Sequence, residues 1–405
     1  MSKPCFWRFS LNCPGSCRRG GVKMSEIRKL IGEALADIVR DARSGGPRVS
    51  VGLMAMGSEL GAEELAKGAE MAQENFRMLE VVMIGPKVPG FGKLSWIETP
   101  DCEEDVAKAM EAAIADGRIS GAVALHYPFP LGVTTIGRVV TPGKGKPMII
   151  ASSTGTSAVY RVEAMIRNTL YGIAAAKSLG IEKPTVGILN VEGAQLVFKA
   201  LNSLREKGYP IAFGASVRKD GGAVLRGNDI LAGAVDVCVT DTLTGNVLMK
   251  MFSSFTTGGS YESLGWGYGP SAGEGWKKVI SIISRASGAP VIAGALEYTA
   301  RVISGGLPEK VAAEVAEAKK AGLDGVLEGL APKAPCTESV IQPPAEPTDE
   351  EIHGVDVLSV EDGVKVLWKE GIYAESSMGC TGPVIKVPAK HLEKAEEILK
   401  GSGYL

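Results

Sequence analysis

From residue 48 onward, short apolar runs alternate with longer stretches whose apolar positions recur at helical spacing. The runs at 49–55, 79–84, 121–126, 148–151, 185–191, 211–216 and 235–240 predict strands. The stretches at 62–75, 103–116, 158–178, 193–207, 247–255, 276–287 and 308–321 predict helices. Strands that are apolar along their whole length are buried on both faces, which is the pattern of a parallel sheet covered by helices on each side. The prediction is an α/β, three-layer domain with a mostly parallel sheet. In such sheets ligands bind beyond the carboxyl ends of the strands, where polar and glycine-rich turns collect.

The two ends of the chain read differently. Residues 1–23 have no periodic pattern and are expected to be a disordered or non-native extension. Met24 then opens an amphipathic helix at 25–43, and the α/β domain is expected to span 24–330. Residues 331–350 carry Pro332, Pro335, Pro343, Pro344 and Pro347 and end in acidic residues, a linker composition. Residues 351–405 predict a small α+β module, with strands at 355–359, 373–376 and 384–387 and helices at 360–370 and 389–400. The glycine-rich stretch 258–275, with Tyr261, Trp266 and Tyr268, reads as either a lid or a structural surface loop.

Composition narrows the function. Of 405 residues, 45% are hydrophobic and 22% charged, and the net charge is −2, so no electrostatic attraction to nucleic acid or an anionic membrane is expected. No apolar run approaches the ~18 residues of a membrane span. The seven cysteines are scattered and odd in number, which fits a reducing cytoplasm rather than a disulfide framework. Three histidines far apart, and no paired CxxC, predict no metal site.

Two loops carry the candidate chemistry. Cys380 lies between Gly379 and Gly382, in Ser377-Met378-Gly379-Cys380-Thr381-Gly382-Pro383. Glycine on either side lets a ligand approach, and a thiolate attacks carbonyls well. The segment is thus either a nucleophile turn or a tight turn with a passive cysteine. The second loop, Asp241-Thr242-Leu243-Thr244-Gly245-Asn246, joins an apolar strand to a helix. Free N–H groups at a helix start attract anions, Thr244 or Asn246 can cap it, and Lys250 falls one turn further on. Asp241 can orient a thiol or act as a base. A plain capped loop is the alternative. Ser152 to Ser157, with Thr154, is a second hydroxyl-rich turn. Arg161, Arg167 and Arg218 are further anion-binding candidates, and His126 reads as a strand end.

Val51-Gly52-Leu53-Met54-Ala55-Met56-Gly57-Ser58-Glu59, Pro184 to Asn190 and Val235 to Lys250 resemble the phosphate acyltransferase family of bacterial lipid synthesis. The resemblance covers about residues 48–285, and its TGN-xxx-K segment, Thr244 to Lys250, is the most specific part. It implies a fold akin to phosphotransacetylases and transfer of an acyl group between a thioester and phosphate. The chain departs from that family at Pro128 to Thr135, at Gly57-Ser58-Glu59 and in its added C-terminal module. The body together with the Cys380 tail resembles the family of component C alpha subunits of glycine/sarcosine/betaine reductase complexes.

That resemblance implies particular partners: a beta subunit of component C, a selenoprotein A carrying a carboxymethyl group, and inorganic phosphate, with no cofactor. It implies Cys380 as the acetyl-bearing thiol, and Asp241, from its place at the strand's end, is the second catalytic candidate. Phosphate and acyl binding then fall to Thr244, Gly245, Asn246, Lys250, Ser152 and Thr154. Gly379, Thr381 and Gly382 form the oxyanion turn. Two other readings remain open. One is a stand-alone phosphate acyltransferase acting on carrier-protein or coenzyme A thioesters. The other is a non-catalytic scaffold subunit.

Overall fold

The computed structural model describes residues 48–218, 221–330, 340–353, 355, 360–379 and 382–405. The chain forms two compact units divided between Leu330 and Ala331. The helix predicted at 25–43, most of the strand predicted at 355–359, and Cys380 and Thr381 lie outside the described residues.

The first unit begins with β1 (Val49–Met54), α1 (Ala62–Asn75), β2 (Leu79–Gly85), β3 (Ser95–Glu98), α2 (Glu103–Ala115) and β4 (Gly121–Ala124). A hairpin of β5 (Val133–Val140) and β6 (Pro147–Thr156) leads to α3 (Arg161–Ser178), β7 (Thr185–Leu189) and α4 (Ala194–Glu206). Then come β8 (Ala212–Phe213), β9 (Val224–Leu225), α5 (Gly227–Ala232), β10 (Val237–Val239) and α6 (Thr242–Ser253). The unit closes with β11 (Gly269–Gly273), β12 (Ile280–Ile282), α7 (Ala289–Ser304), α8 (Leu307–Lys320) and α9 (Leu323–Leu330).

The strand order is β3-β2-β1-β4-β12-β11-β5-β6-β10-β7-β8, with β9 also paired to β7. Neighbours are parallel from β3 to β12 and again from β6 to β8. Between these halves, β11 and β5 are each antiparallel to both neighbours. Three reversals separate β12 from β6, so the two parallel halves run in opposite directions. Their carboxyl ends converge on the β11–β5 seam. The seam demands close backbone approach: Gly269 has φ +83°, and a Cβ there would overlap the carbonyl oxygen of Ile136.

Burial explains the alternating pattern. All four residues of β4 and the last four of β1 are buried, as a sheet with helices on both faces requires. One core cluster packs β1, β2 and β4 against α1, α2 and α7. A second packs β6, β7 and β10 against α3, α4 and α8. Helix α3 is buried nearly all round from Met165 to Ala176, which is why its apolar positions show little helical periodicity.

Four sequence expectations change here. The helix expected at 276–287 is absent and the segment contains strand β12 instead, because Val279 to Ile283 has four β-branched residues of five and is inserted beside β4 in the middle of the sheet. Within the glycine-rich 258–275, Gly269–Gly273 is neither lid nor surface loop but a strand with every residue buried. The hydroxyl-rich turn after 151 is a continuation of β6 as far as Thr156, held by pairing with β5. The helix expected from 247 starts five residues earlier, at Thr242.

The second unit, described by itself, comprises β13 (Glu350–Ile352), α10 (Val360–Lys369), β14 (Glu375–Gly379), β15 (Gly382–Val387) and α11 (Leu392–Gly401). Its antiparallel sheet has the order β13-β15-β14. Ile352, Val364, Leu367, Ile385, Val387, Ala395 and Leu399 form its core. β14 and β15 pair as far as Gly379 opposite Gly382.

Candidate active site

A cleft of about 250 Å³ opens where the two halves of the sheet meet. Glu59 enters it from the turn after β1, Leu125 from the end of β4, and Ser284 and Arg285 from the turn after β12. From the other half come Thr154, near the end of β6, and Asn246 and Lys250 on α6, the helix that follows β10. The strands β1, β4, β6 and β12 all reach it at their carboxyl ends, the edge where α/β sheets bind ligands.

The geometry of α6 is set locally. Asp241 is the N-cap: one carboxylate oxygen accepts from the Thr244 amide at 3.0 Å, the other from the Thr244 hydroxyl at 2.6 Å. The Gly245 amide already donates to the Asp241 carbonyl at 3.0 Å. Helix and strand then touch: a Cβ on Gly245 would overlap the Ser152 carbonyl oxygen. The Ser152 and Thr242 hydroxyls are 2.9 Å apart, and the Asn246 side-chain amide donates to the Ser153 carbonyl at 3.0 Å. Asn246 and Lys250, four residues apart, therefore share one helical face turned to the cleft.

Lys250 sits with its ammonium 5.5 Å from the centre of the Tyr268 ring, a cation–π contact. Tyr268 is buried, and its hydroxyl donates to Glu262 at 3.1 Å. Burial, reinforced by the Glu262 charge, pushes the Tyr268 phenol well above its ordinary range, so it stays neutral beneath the lysine. Among the described residues neither Lys250 nor Arg285 has a carboxylate within 4.0 Å. The cleft thus offers two cations and an amide to an anion, with Glu59 as the carboxylate on its wall.

The structure sorts the predicted residues. Thr154, Asn246 and Lys250 line the cleft. Thr244 and Asp241 form the cap, and Gly245 provides the close approach to Ser152, which is itself buried beneath the helix. The cap is Asp241 rather than Thr244 or Asn246, because the helix starts earlier. Arg161 is paired with Glu192, and Arg167 with Glu163 and Glu274, so both belong to surface ion pairs. Arg218 lines a separate cleft with Asn190, Gln195 and Arg226. His126 is exposed at the end of β4. Among the described residues no group of three or more His, Cys, Asp or Glu is placed to hold a metal ion, and no helix is long and apolar enough to cross a membrane.

Arg285 was not singled out from the sequence, and Glu59 and Tyr268 were named there only as parts of longer stretches, not as site residues. Arg285 was legible in principle, since reading 279–283 as a strand puts Ser284-Arg285 at its carboxyl end.

Thr154 also lines a second cleft, of about 360 Å³, with Tyr127, Phe129, Pro130, Leu131, Gly155 and Thr156. No charged side chain lines it. Its wall is an aromatic cluster: the Tyr127 and Phe129 rings are 4.9 Å apart, and Trp276 meets Phe129 edge-on at 6.3 Å.

Residues 49–386 match the family described as fatty acid synthesis protein. The chain is 52% identical over 385 residues to the glycine/sarcosine/betaine reductase complex component C subunit alpha of Peptoclostridium acidaminophilum, covering 94% of this chain and 99% of that protein. It is 29% identical over 229 residues to a phosphate acyltransferase of Thermotoga neapolitana, covering 48% of this chain and 66% of that protein. A branched-chain phosphotransacylase structure from Enterococcus faecalis V583 aligns with a TM-score of 0.46 and 16% identity, over 63% of this chain and 99% of that one.

Proposed function

The chain belongs to the fatty acid synthesis protein family, and from that premise we propose that it transfers an acetyl group from an enzyme-bound thioester to inorganic phosphate, releasing acetyl phosphate. The general chemistry, acyl transfer involving phosphate, follows from its kinship with phosphate acyltransferases. The finer reading rests on its similarity to a reductase component C alpha subunit along nearly its whole length. In that reading the acetyl group arises from a carboxymethyl group carried by a selenoprotein A. A beta subunit of component C is its partner, and the reaction takes place in the cytoplasm.

The observation that carries the proposal is the pair of cations, Lys250 and Arg285, in one small cleft with Asn246. Phosphate is a small, doubly charged anion, and charged donors fixed in advance stabilise it without reorganisation. Cys380 carries the acetyl group as a thioester. A phosphate oxygen attacks the thioester carbonyl, the C–S bond breaks, and the Cys380 thiolate leaves. Backbone N–H groups of the Gly379, Thr381 and Gly382 turn stabilise the oxyanion that forms.

The test is mass spectrometry on the full chain after exposure to acetyl phosphate. An acetyl adduct on the Cys380 peptide, cleared by phosphate and absent in Cys380→Ala, is expected. Acetyl exchange that persists in Cys380→Ala would sink the covalent scheme. The uncharged second cleft, larger than an acetyl group needs, favours a second reading: direct phosphate attack on longer acyl thioesters. Turnover of such thioesters unaffected by Cys380→Ser would select it.

A further inference from the structure

We propose that the cleft at the carboxyl ends of β7 and β9 is a second anion site, which takes the phosphate group of a small organic phosphate. Its volume is about 270 Å³, and it shares no lining residue with the cleft that holds Lys250 and Arg285. β10 lies between β6 and β7, so two strand spacings, about 10 Å, separate the strands that carry the two clefts. Asn190 follows β7, and Gln195 lies in the first turn of α4. Arg218 lies on the loop from β8 to β9, and Arg226 directly follows β9. All four are exposed. No carboxylate of a described residue lines the cleft, and among the described residues Arg226 has none within 4.0 Å. A phosphate monoester, with three terminal oxygens and up to two charges, uses guanidinium and amide donors more fully than a carboxylate with two oxygens and one charge.

The loop that carries the arginines is fixed in advance. Asp229, 1% exposed, accepts from the Ser216 hydroxyl at 2.9 Å and from the Val217 and Arg226 amides, each at 2.7 Å. One buried carboxylate therefore ties the two ends of the loop together and is itself fully engaged. The Ser216 amide donates to the Gly222 carbonyl at 3.0 Å, and a Cβ on Gly221 would meet the Ser216 carbonyl oxygen at 2.7 Å. Donors held in this way bind an anion with little ordering cost. Phe198 and Val224 supply an apolar wall, and the Phe198 ring packs 5.2 Å from that of Phe213. A bare phosphate leaves that wall unused, whereas a phosphate bearing a ring or a short apolar group covers it.

Titration calorimetry of the full-length chain with phenyl phosphate and with inorganic phosphate tests this, in a Lys250→Met, Arg285→Gln background that disables the first cleft. Phenyl phosphate is expected to bind in that background, about ten-fold more tightly than inorganic phosphate. Adding Arg226→Gln is expected to weaken both ligands about ten- to a hundred-fold. Adding Phe198→Ala is expected to erase the preference for the phenyl ester and leave inorganic phosphate affinity unchanged. Melting temperatures report folding, and Arg226→Gln, at an exposed residue, decides the matter even where Phe198→Ala unfolds the chain. Absence of phenyl phosphate binding in the background would overturn the proposal. So would an affinity unchanged by Arg226→Gln, or a phenyl ester bound no more tightly than inorganic phosphate.

Discussion

Both carboxylate oxygens of Asp241 are occupied by Thr244, one by its amide at 3.0 Å and the other by its hydroxyl at 2.6 Å. A carboxylate engaged in this way fixes the start of the helix carrying Asn246 and Lys250, and is poorly placed to take a proton from a thiol. Asp241→Asn keeps an acceptor and is expected to retain turnover within a few-fold. Asp241→Ala is expected to lower stability by about 1 kcal/mol. Thermal unfolding and acetyl-transfer assays of the two variants check this, and complete loss of turnover in Asp241→Asn would restore the base role.

Gly245 is required by contact with Ser152 rather than by backbone freedom, since its side-chain position is already occupied by the Ser152 carbonyl. Gly245→Ala must push α6 off the end of β6. A destabilisation of about 3 kcal/mol is expected from overpacking at a site with no slack. The variant is also expected to bind phosphate more weakly, because Asn246 and Lys250 move with the helix. Calorimetry of phosphate binding alongside a melting curve separates the two effects.

Lys250 and Arg285 are expected to act on phosphate rather than on folding, since both are exposed and free of carboxylate partners among the described residues. Lys250→Met and Arg285→Gln should each weaken phosphate affinity about ten- to a hundred-fold, the range for losing one charge-assisted hydrogen bond. Melting temperatures should be unchanged. Wild-type phosphate affinity in both variants would remove the cleft from the reaction.

Acid stability should depend on Asp236. Burial pushes its carboxyl up, but the Thr185 hydroxyl at 2.6 Å, the Thr185 amide at 2.9 Å and Lys146 outweigh that and hold it below the usual range. A depressed folded-state pKa stabilises above the unfolded value of about 4 and loses that contribution as pH falls through the folded value. Melting temperature is therefore expected to drop below about pH 4, and to drop less steeply in Asp236→Asn, which starts from a lower value at neutral pH. Equal slopes in the two proteins would show that Asp236 does not report on folding.

The α/β class was legible because strands buried on both faces must be apolar throughout, and runs such as Val51 to Met54 and Val237 to Val239 show this without help from their surroundings. The motif from Thr244 to Lys250 was legible for a similar reason: both residues that face the cleft, Asn246 and Lys250, lie on one helix, four positions apart.

The seam was not legible. β11, Gly269 to Gly273, is made of glycine, proline, serine and alanine and by composition reads as loop, while β5 has a strand composition that nothing in its neighbourhood assigns to the middle of the sheet. Only in the assembled sheet do Thr135 and Ser153 satisfy each other at 2.8 Å, while the Ser271 hydroxyl accepts from Trp276 at 2.9 Å, so that polar side chains survive burial. Arg285 was hidden because 276–287 read as a helix, which concealed that it follows the carboxyl end of a strand. Nothing in Ser284-Arg285-Ala286-Ser287 marks it locally, and 35 positions separate it from Lys250. By itself the sequence determined the strands that are apolar throughout, the helices between them and which face of α6 carries the site, because those depend on neighbours a few residues apart. The tertiary structure decided that two oppositely directed half-sheets bring Lys250 and Arg285 into one cleft, because that depends on backbone pairing of β11 with β5 and β12, segments whose partners no local pattern specifies.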